Sequence, residues 1–181
     1  AARSGWREKH RKLPYGRGVG LACSSYLSGA GLPIYWNDMP HSGVQLKLDR
    51  SGLVTVFCGS TDIGQGSDTV LAQICASALR VDIGHINLVA PDSDASPYNW
   101  GTGGTRVTYM VGRAVEAAAG AAFDEIRRHA SEIFECAPAD IELRDGGRVG
   151  IVGVPDKQLS FAEISGRAHY VTGGPIIGTH S

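Results

Sequence analysis

Two glycine-rich segments, each placed directly before a helical pattern, constrain the fold of this chain more than any other feature. The first is Gly64-Gln65-Gly66 and the second is Gly101-Thr-Gly-Gly-Thr-Arg-Val-Thr108. Glycine accounts for 25 of 181 residues, against a usual share of about 7%, and it lacks the three-residue period of collagen. A globular chain keeps such glycines where the backbone needs a positive φ or where another group approaches closely. We therefore expect both segments to serve tight turns or a ligand.

The length and composition predict a single globular domain. With 181 residues, of which 43% are hydrophobic and 19% charged, the chain can bury one sizeable core. The formal net charge is -1 without long runs of like charge, which predicts neither nucleic acid nor a membrane surface as a partner. No apolar stretch reaches the roughly 18 residues of a membrane helix, and residues 1–12 lack a signal-peptide core. We expect a cytoplasmic protein.

Cysteine and histidine spacing predicts no metal site built from side chains. The cysteines form no Cys-x-x-Cys pair and are expected to be buried thiols: Cys23, Cys58, Cys75 and Cys136. The histidines show neither i, i+4 pairs nor a His-x-His motif. No Gly-x-Ser-x-Gly elbow is present, and no Ser or Cys can be paired with a base from the sequence alone, so no catalytic residue is assigned.

Hydrophobic periodicity predicts strands and helices in alternation. Apolar and polar residues alternate on both sides of the turn Arg50-Ser51-Gly52, which indicates an antiparallel hairpin. The run Ala117-Ala-Ala-Gly-Ala-Ala122 in the second long helix permits close packing of a neighbour. The predicted strands are residues 16–29, 44–48, 53–58, a short buried strand at 86–89, and a second hairpin at 141–152. The predicted helices are residues 67–81, 107–137 and a short one near 161–164.

This order of elements indicates an α+β fold. We expect a two-layer unit in which a mostly antiparallel or mixed sheet is packed by two long helices. Residues 1–15 are basic and polar and are expected to form a linker, with the domain itself over residues 16–181. Residues 90–106, rich in Pro, Gly, Asp and Ser, are expected to form a long loop.

Both glycine-rich segments are candidates for one anion site. Free backbone N–H groups at a helix start, beside glycines, suit a phosphate or pyrophosphate, and Gln65 adds a side-chain amide. Arg106 is the cation of the second segment and is a candidate phosphate ligand, although a surface arginine is an equally ordinary outcome. If both segments lie at the same end of the sheet, they face one extended anionic ligand.

Two familiar nucleotide-binding patterns fit poorly. The dinucleotide fingerprint needs a glycine where Thr69 stands, and the preceding strand is assigned to a hairpin rather than to a parallel crossover. A P-loop needs a Gly-Lys-Ser/Thr ending, and neither segment has that lysine. From the residues alone, a non-catalytic α+β interaction module with plain glycine turns stays open as the alternative.

The order and spacing of four segments resemble a known family. They are Gly64-Gln-Gly-Ser-Asp-Thr-Val-Leu-Ala-Gln73, Asp92-Ser-Asp-Ala-Ser-Pro97, Gly101-Thr-Gly-Gly-Thr-Arg-Val-Thr108 and Gly112-Arg-Ala-Val115. Together they are similar to the large, molybdopterin-binding subunit of the xanthine oxidase family of molybdenum hydroxylases. Within that family, residues 16–43 and the first hairpin resemble the large subunit of 4-hydroxybenzoyl-CoA reductase.

The resemblance implies a set of cofactor contacts. They are Gln65 and Gly66 on the pterin, and the small-residue loop beside the metal, Gly103, Gly104 and Thr105, followed by Arg106. It further implies that the pterin, and no side chain, holds the molybdenum, and that the family's catalytic glutamate lies outside this chain. The chain is then a fragment of a larger subunit, and part of a larger molybdopterin-binding domain.

The resemblance also implies a chemistry and partners. The family oxidises or reduces an aromatic, heteroaromatic or aldehyde carbon, and iron–sulfur and FAD groups on other domains or subunits relay the electrons. The narrower resemblance implies reductive dehydroxylation of 4-hydroxybenzoyl-CoA, an aromatic acyl-CoA substrate. Aldehyde, xanthine and carbon monoxide dehydrogenase-type chemistries are the alternatives within the family. We expect the isolated chain to be inactive.

Overall fold

The computed structural model describes residues 5, 8, 12–25, 41–89, 91–172 and 174–181. Its strands are β1 (Val44–Leu48), β2 (Val54–Cys58), β3 (Ile86–Val89), β4 (Ile141–Arg144), β5 (Arg148–Ile151), β6 (Val154–Ser160) and β7 (Ile176–His180). Its α-helices include α1 (Ser67–Leu79), α2 (Gly112–Phe134) and α3 (Phe161–Arg167), and a π-helical turn (Val107–Val111) leads into α2. The predicted α+β fold is confirmed.

The predicted first hairpin is present. β1 and β2 pair antiparallel, with Leu46 opposite Val56, and both side chains are buried. The carboxylate of Asp49 closes the turn, because its Oδ1 accepts the backbone N–H groups of Ser51 at 2.7 Å and of Leu53 at 3.1 Å. This carboxylate turn lies at the opposite end of the hairpin from the carboxyl end of β2.

The first sheet has the strand order β3-β2-β1-β7 and is mixed. β1 pairs antiparallel with β2 and β7, whereas β2 pairs parallel with β3 through the crossover helix α1. The sequence predicts β2 in a hairpin only, and this is wrong, because the second edge of β2 pairs parallel with β3 and makes a crossover. The residues of β3 were expected to be buried, but they are half-buried or exposed because β3 is the last strand in this order.

Helix α2 packs along β7 and β1, and α1 lies against α2 and β3. The closest approach is at Gly178 in β7, where an added Cβ would overlap the carbonyl oxygen of Ala118. The same Cβ would lie 2.6 Å from the backbone nitrogen and 2.8 Å from the Cβ of Ala122. The predicted close packing along the alanine run is confirmed. Its partner β7 was not predicted, because this segment was interpreted as an extended tail.

The second sheet, β4-β5-β6, is antiparallel. The predicted hairpin turn is confirmed, with Gly146 and Gly147 at φ of 76° and 66°. Strand β6 was missed because its residues 154–158 are exposed and show no apolar alternation. Arg144 links the end of β5 to the start of β6, since its Nη2 donates to the carbonyl oxygens of Ile151 at 2.8 Å and Val154 at 3.0 Å.

Several expectations from the sequence need correction. Residues 16–25 form no strand and their side chains are exposed, because glycines there leave little apolar surface to bury. Residues 26–40, including Tyr35 and Trp36 of the narrower resemblance, lie outside the described residues. Cys58 and Cys75 are buried as predicted, whereas Cys23 is exposed and Cys136 is half-buried.

Within the described part of the chain, no helix is both long and apolar enough to span a membrane.

Candidate functional site

The two glycine-rich segments lie at the same end of the first sheet, which meets the condition stated above for one shared ligand. β2 and β3 run parallel, so the loops that follow their carboxyl ends leave the sheet on one side. We call residues 59–66 the first loop and residues 91–106 the second loop. The second loop folds over the first: an added Cβ on Gly59 would lie 2.8 Å from the carbonyl oxygen of Pro97 and 2.9 Å from the Cβ of Asn99.

Hydrogen bonds join the two loops directly. The hydroxyl of Thr102 donates to the carbonyl oxygen of Thr61 at 2.8 Å and accepts the backbone N–H of Thr61 at 3.1 Å. One side chain thus satisfies both backbone groups of a residue 41 positions earlier. The sequence did not identify either threonine, because such a pairing has no periodic signal.

Gln65 is held inside the first loop by its own side chain. Its Oε1 accepts the backbone N–H of Ile63 at 2.6 Å, and its Nε2 donates to the Ser67 hydroxyl at 2.8 Å and to the Thr61 carbonyl at 3.3 Å. Both amide hydrogens and one oxygen lone pair are therefore used by the first loop and by the first residue of α1. The second lone pair of Oε1 is what this side chain offers to a ligand.

Asp62 is a residue of the first loop whose carboxylate accepts hydrogen bonds at the start of α1. Its Oδ1 accepts the backbone N–H groups of Gly64 at 2.7 Å and Gly66 at 3.3 Å, and its Oδ2 accepts that of Asp68 at 3.3 Å. The N–H groups of Gly64 and Asp68 hold the pKa of Asp62 below its ordinary value. The sequence predicted free N–H groups here, and this is wrong, because a carboxylate of the chain already accepts them. The spacing Asp-x-Gly, typical of a side-chain-closed turn, was the signal that could have shown it.

The pKa of the neighbouring Asp68 is shifted upward, whereas that of Asp62 is shifted downward. The causes are burial and the negative charge of Asp62. They raise the pKa of the Asp68 carboxyl, and its Oδ1 is buried without a hydrogen-bond partner among the described residues.

The second loop presents an open glycine surface next to a constrained backbone. Gly104 and Thr105 both have positive φ, 58° and 56°, which is unusual for a β-branched residue such as Thr105. An added Cβ on Gly103 or Gly104 would meet nothing within 4 Å, and the same holds for Gly64 in the first loop. These backbones therefore face free space that a ligand can enter.

Arg106 is buried, so its interpretation as a surface arginine is wrong. The residue is 3% exposed; its Nη2 donates to the His41 carbonyl at 3.0 Å, and its guanidinium lies 4.7 Å from the ring centre of Trp100. Burial lowers the pKa of Arg106, and the electrostatic interaction with Tyr98 offsets part of this shift. Its Nη1 is buried and has no hydrogen-bond partner in the described ranges. A buried, unpaired N–H of a cation is a strong donor for an anionic ligand oxygen.

Three exposed apolar side chains belong to the two loops themselves, and we call them the apolar rim. Ile63, Tyr98 and Trp100 are 73%, 49% and 43% exposed. Such a rim is typical of a surface that contacts another domain or a bound molecule. No group of three or more His, Cys, Asp and Glu side chains that could hold a metal occurs among the residues described.

The fold and these two joined loops define an α+β domain with a glycine-lined, ligand-accessible site at the carboxyl ends of its parallel strands. The profile of the molybdopterin cofactor-binding domain family matches residues 1–181, and the chain belongs to this family. The resemblance found in the glycine-rich segments is thereby confirmed at the level of the family.

The relatives are named as dehydrogenases or oxidoreductases, and one of them is named as a molybdenum-binding subunit. The chain is 36% identical over 163 residues to the 6-hydroxypseudooxynicotine dehydrogenase complex subunit gamma of Paenarthrobacter nicotinovorans, covering 90% of this chain and 20% of that protein. It is 28% identical over 158 residues to the xanthine dehydrogenase molybdenum-binding subunit of Escherichia coli, covering 85% and 20%. The crystal structure of quinoline 2-oxidoreductase from Pseudomonas putida 86 superposes with a TM-score of 0.69 at 28% identity, covering 77% and 18%. The chain thus spans about a fifth of the length of these relatives.

Proposed function

We propose that this chain supplies two cofactor-binding loops to a larger molybdenum-dependent oxidoreductase subunit. The cofactor contacts in this proposal are Gln65, Gly66, Gly103, Gly104, Thr105 and Arg106. The observation that carries the proposal is the pair of hydrogen bonds between Thr61 and Thr102, which puts both glycine-rich segments on one surface. A non-catalytic module with unrelated turns has no need for this link.

The residues present fit a pterin cofactor with a phosphate. Bare glycine backbone at Gly64, Gly103 and Gly104 leaves space for a flat, closely approaching ligand. The remaining lone pair of Gln65 Oε1 is an acceptor for a pterin N–H, and the unpaired Nη1 of Arg106 is a donor for a phosphate or carbonyl oxygen. When bound, the cofactor supplies a molybdenum centre for two-electron chemistry at carbon.

The role of this chain in that chemistry is to bind and to orient. Gln65 keeps its amide orientation because Ile63 and Ser67 hold the two ends of the amide. Arg106 stays in place because Trp100 stacks on its guanidinium and the His41 carbonyl accepts from Nη2. The apolar rim around Ile63 and Trp100 would exclude water once a neighbouring domain covers it.

The substrate class we propose is an aromatic or heteroaromatic compound. Two of the relatives are named for xanthine and for quinoline, and both compounds are nitrogen heteroaromatics. Reductive dehydroxylation of 4-hydroxybenzoyl-CoA stays a prediction that rests on the resemblance of residues 16–43 and the first hairpin. Iron–sulfur and FAD groups on other domains or subunits are the proposed electron partners, and the isolated chain is proposed to be inactive.

The test compares two threonine variants of the full-length subunit. Thr102→Val removes the hydroxyl that joins the loops, and we expect the molybdenum and pterin content per subunit to fall about tenfold, from the loss of two hydrogen bonds of about 0.5–1.5 kcal/mol each. Thr55→Val, on β2 and away from both loops, is the matched control and should keep the wild-type content. Equal cofactor content in all three proteins, or none in the wild type, would refute the proposal.

A turnover screen on the same holoenzyme tests the substrate class. Quinoline and xanthine as electron donors, and 4-hydroxybenzoyl-CoA as an acceptor with a reduced dye, cover the proposed chemistries. Oxidation of a heteroaromatic supports the class, and reduction of the thioester supports the narrower resemblance. An aldehyde and carbon monoxide are assayed beside them, and turnover of these alone would contradict both.

A further inference from the structure

The start of α1 holds a negative charge that belongs to the chain itself. Asp62 accepts backbone N–H groups from Gly64 and Gly66 in the first loop and from Asp68 in the first turn of the 13-residue helix. The N-cap residue Gly66 has no side chain with which to satisfy these groups. The carboxylate therefore takes the place in which a helix start would otherwise bind an anion.

The same contacts set the conformation of the loop around Gln65. Gly64 and Gly66 have φ of 97° and 79°, and their N–H groups flank Gln65 on both sides. The Ile63–Gly64 and Gln65–Gly66 peptides are both bonded to this one carboxylate, which restrains the backbone on either side of Gln65. Its side chain can then reach the Ile63 N–H and the Ser67 hydroxyl.

We propose that Asp62 is a positioning residue: its carboxylate orients Gln65 toward the cofactor and excludes any ligand anion from the start of α1. The role assigned to Gln65 rests on the proposed function, whereas the exclusion of anions does not. Within this chain, the place left for the anionic end of the cofactor is then the second loop, where Arg106 Nη1 is unpaired among the described residues.

The first test uses this chain without cofactor. Amide exchange is measured by NMR, and inorganic pyrophosphate is titrated into the wild type, Asp62→Ala and Asp62→Asn. In Asp62→Ala we expect exchange of the Gly64, Gly66 and Asp68 amides to rise at least about tenfold, since each loses a charged acceptor. Pyrophosphate should shift these amides in Asp62→Ala and leave those of the wild type unchanged. Asp62→Asn keeps the shape and one acceptor oxygen, so its exchange should be intermediate, and it serves as the decisive variant if Asp62→Ala does not fold.

Asp49→Ala is the matched control. Asp49 closes a turn with the same carboxylate-to-backbone chemistry at the opposite end of the β1–β2 hairpin. Its loss should destabilise the fold without changing the loop amides or their response to pyrophosphate. Wild-type exchange at Gly64 and Gly66 in both Asp62 variants, or pyrophosphate binding to these amides in the wild type, would overturn the proposal.

The second test uses the full-length subunit and reads molybdenum and pterin content. Asp62→Ala should lower the content about tenfold, Asp62→Asn should restore part of it, and Asp49→Ala should leave it at the wild-type level. If the cofactor content falls equally in Asp62→Ala and Asp49→Ala, Asp62 only stabilises the fold, and its positioning role is overturned. A wild-type subunit without cofactor would refute the proposed function, while the exchange and pyrophosphate measurements would still decide whether Asp62 excludes anions.

Discussion

Replacement of Gly178 by alanine tests the central packing contact of the fold. The added methyl group would overlap the carbonyl oxygen of Ala118 and approach Ala122 within 2.6 Å of its nitrogen. These are backbone atoms of a helix, so no side-chain rotation relieves the overlap and α2 must move away from β7. Overpacking of this kind costs about 3 kcal/mol, and the lower unfolded-state entropy of alanine offsets about 0.5–1 kcal/mol. We expect a net loss of about 2–2.5 kcal/mol.

Urea unfolding followed by circular dichroism measures this loss. With a slope of about 2 kcal/mol/M, the midpoint should fall by about 1 M while the slope stays unchanged. Gly120→Ala is the matched control, because an added Cβ there meets nothing within 4 Å and the residue lies in the interior of α2. It should stabilise the protein by about 0.5–1 kcal/mol, since alanine is the better helix former. A Gly178→Ala midpoint equal to or above that of the wild type would refute the packing argument.

Three further substitutions test separate features. Gly150→Ala would overlap the Arg144 guanidinium and approach the Lys157 carbonyl oxygen to 2.6 Å, and should cost about 2 kcal/mol in urea unfolding; an unchanged midpoint would contradict this. Burial, reinforced by the neighbouring positive charge, lowers the pKa of His129, so the unfolded chain binds the proton more readily; stability should fall as pH drops below about 6.5, and His129→Gln should flatten that dependence in urea midpoints between pH 8 and 5. Glu135→Gly, at φ 56° after α2, should raise stability by about 0.5–1 kcal/mol in thermal melts, and a decrease would show that the left-handed backbone is not strained there.

Local periodicity was sufficient for the elements that bury one face. The first hairpin and the long helices were predicted because alternation of period 2 and apolar spacing of period 3.6 report burial directly. The turn at Gly146-Gly147 was predicted because two adjacent glycines allow the positive φ that a tight reversal requires. In each case the physical cause lies within a few residues.

Pairings between distant segments left no such signal. The parallel contact of β2 with β3 depends on how α1 packs, and β7 is a strand only because β1 offers it a free edge. The burial of Arg106 likewise depends on where Trp100 and the His41 carbonyl lie in space. A sequence pattern identifies the residue type at such positions but cannot identify its partners.

At the site, the glycines were predictable and the polar contacts were not. Glycine spacing marked both loops, because glycine before a helix serves either a tight turn with positive φ or the close approach of a ligand. The acceptance of loop N–H groups by Asp62 reversed the expected electrostatics of the first loop, and the Thr102 hydroxyl supplied the link that makes one site of two loops. Both effects come from single side chains whose partners only the folded backbone defines.

The position of β7 in the sheet sets an order for folding during synthesis. β1 and β7 are the first and last strands of the described chain and pair with each other, and α2 covers both strands. The sheet therefore stays open along one edge of β1, and α2 lacks its closest partner, until residues 176–180 have left the ribosome. Contacts of such long sequence separation form slowly and leave apolar surface exposed in the meantime. A ligand that needs both loops on a rigid sheet can consequently bind only after synthesis has passed β7.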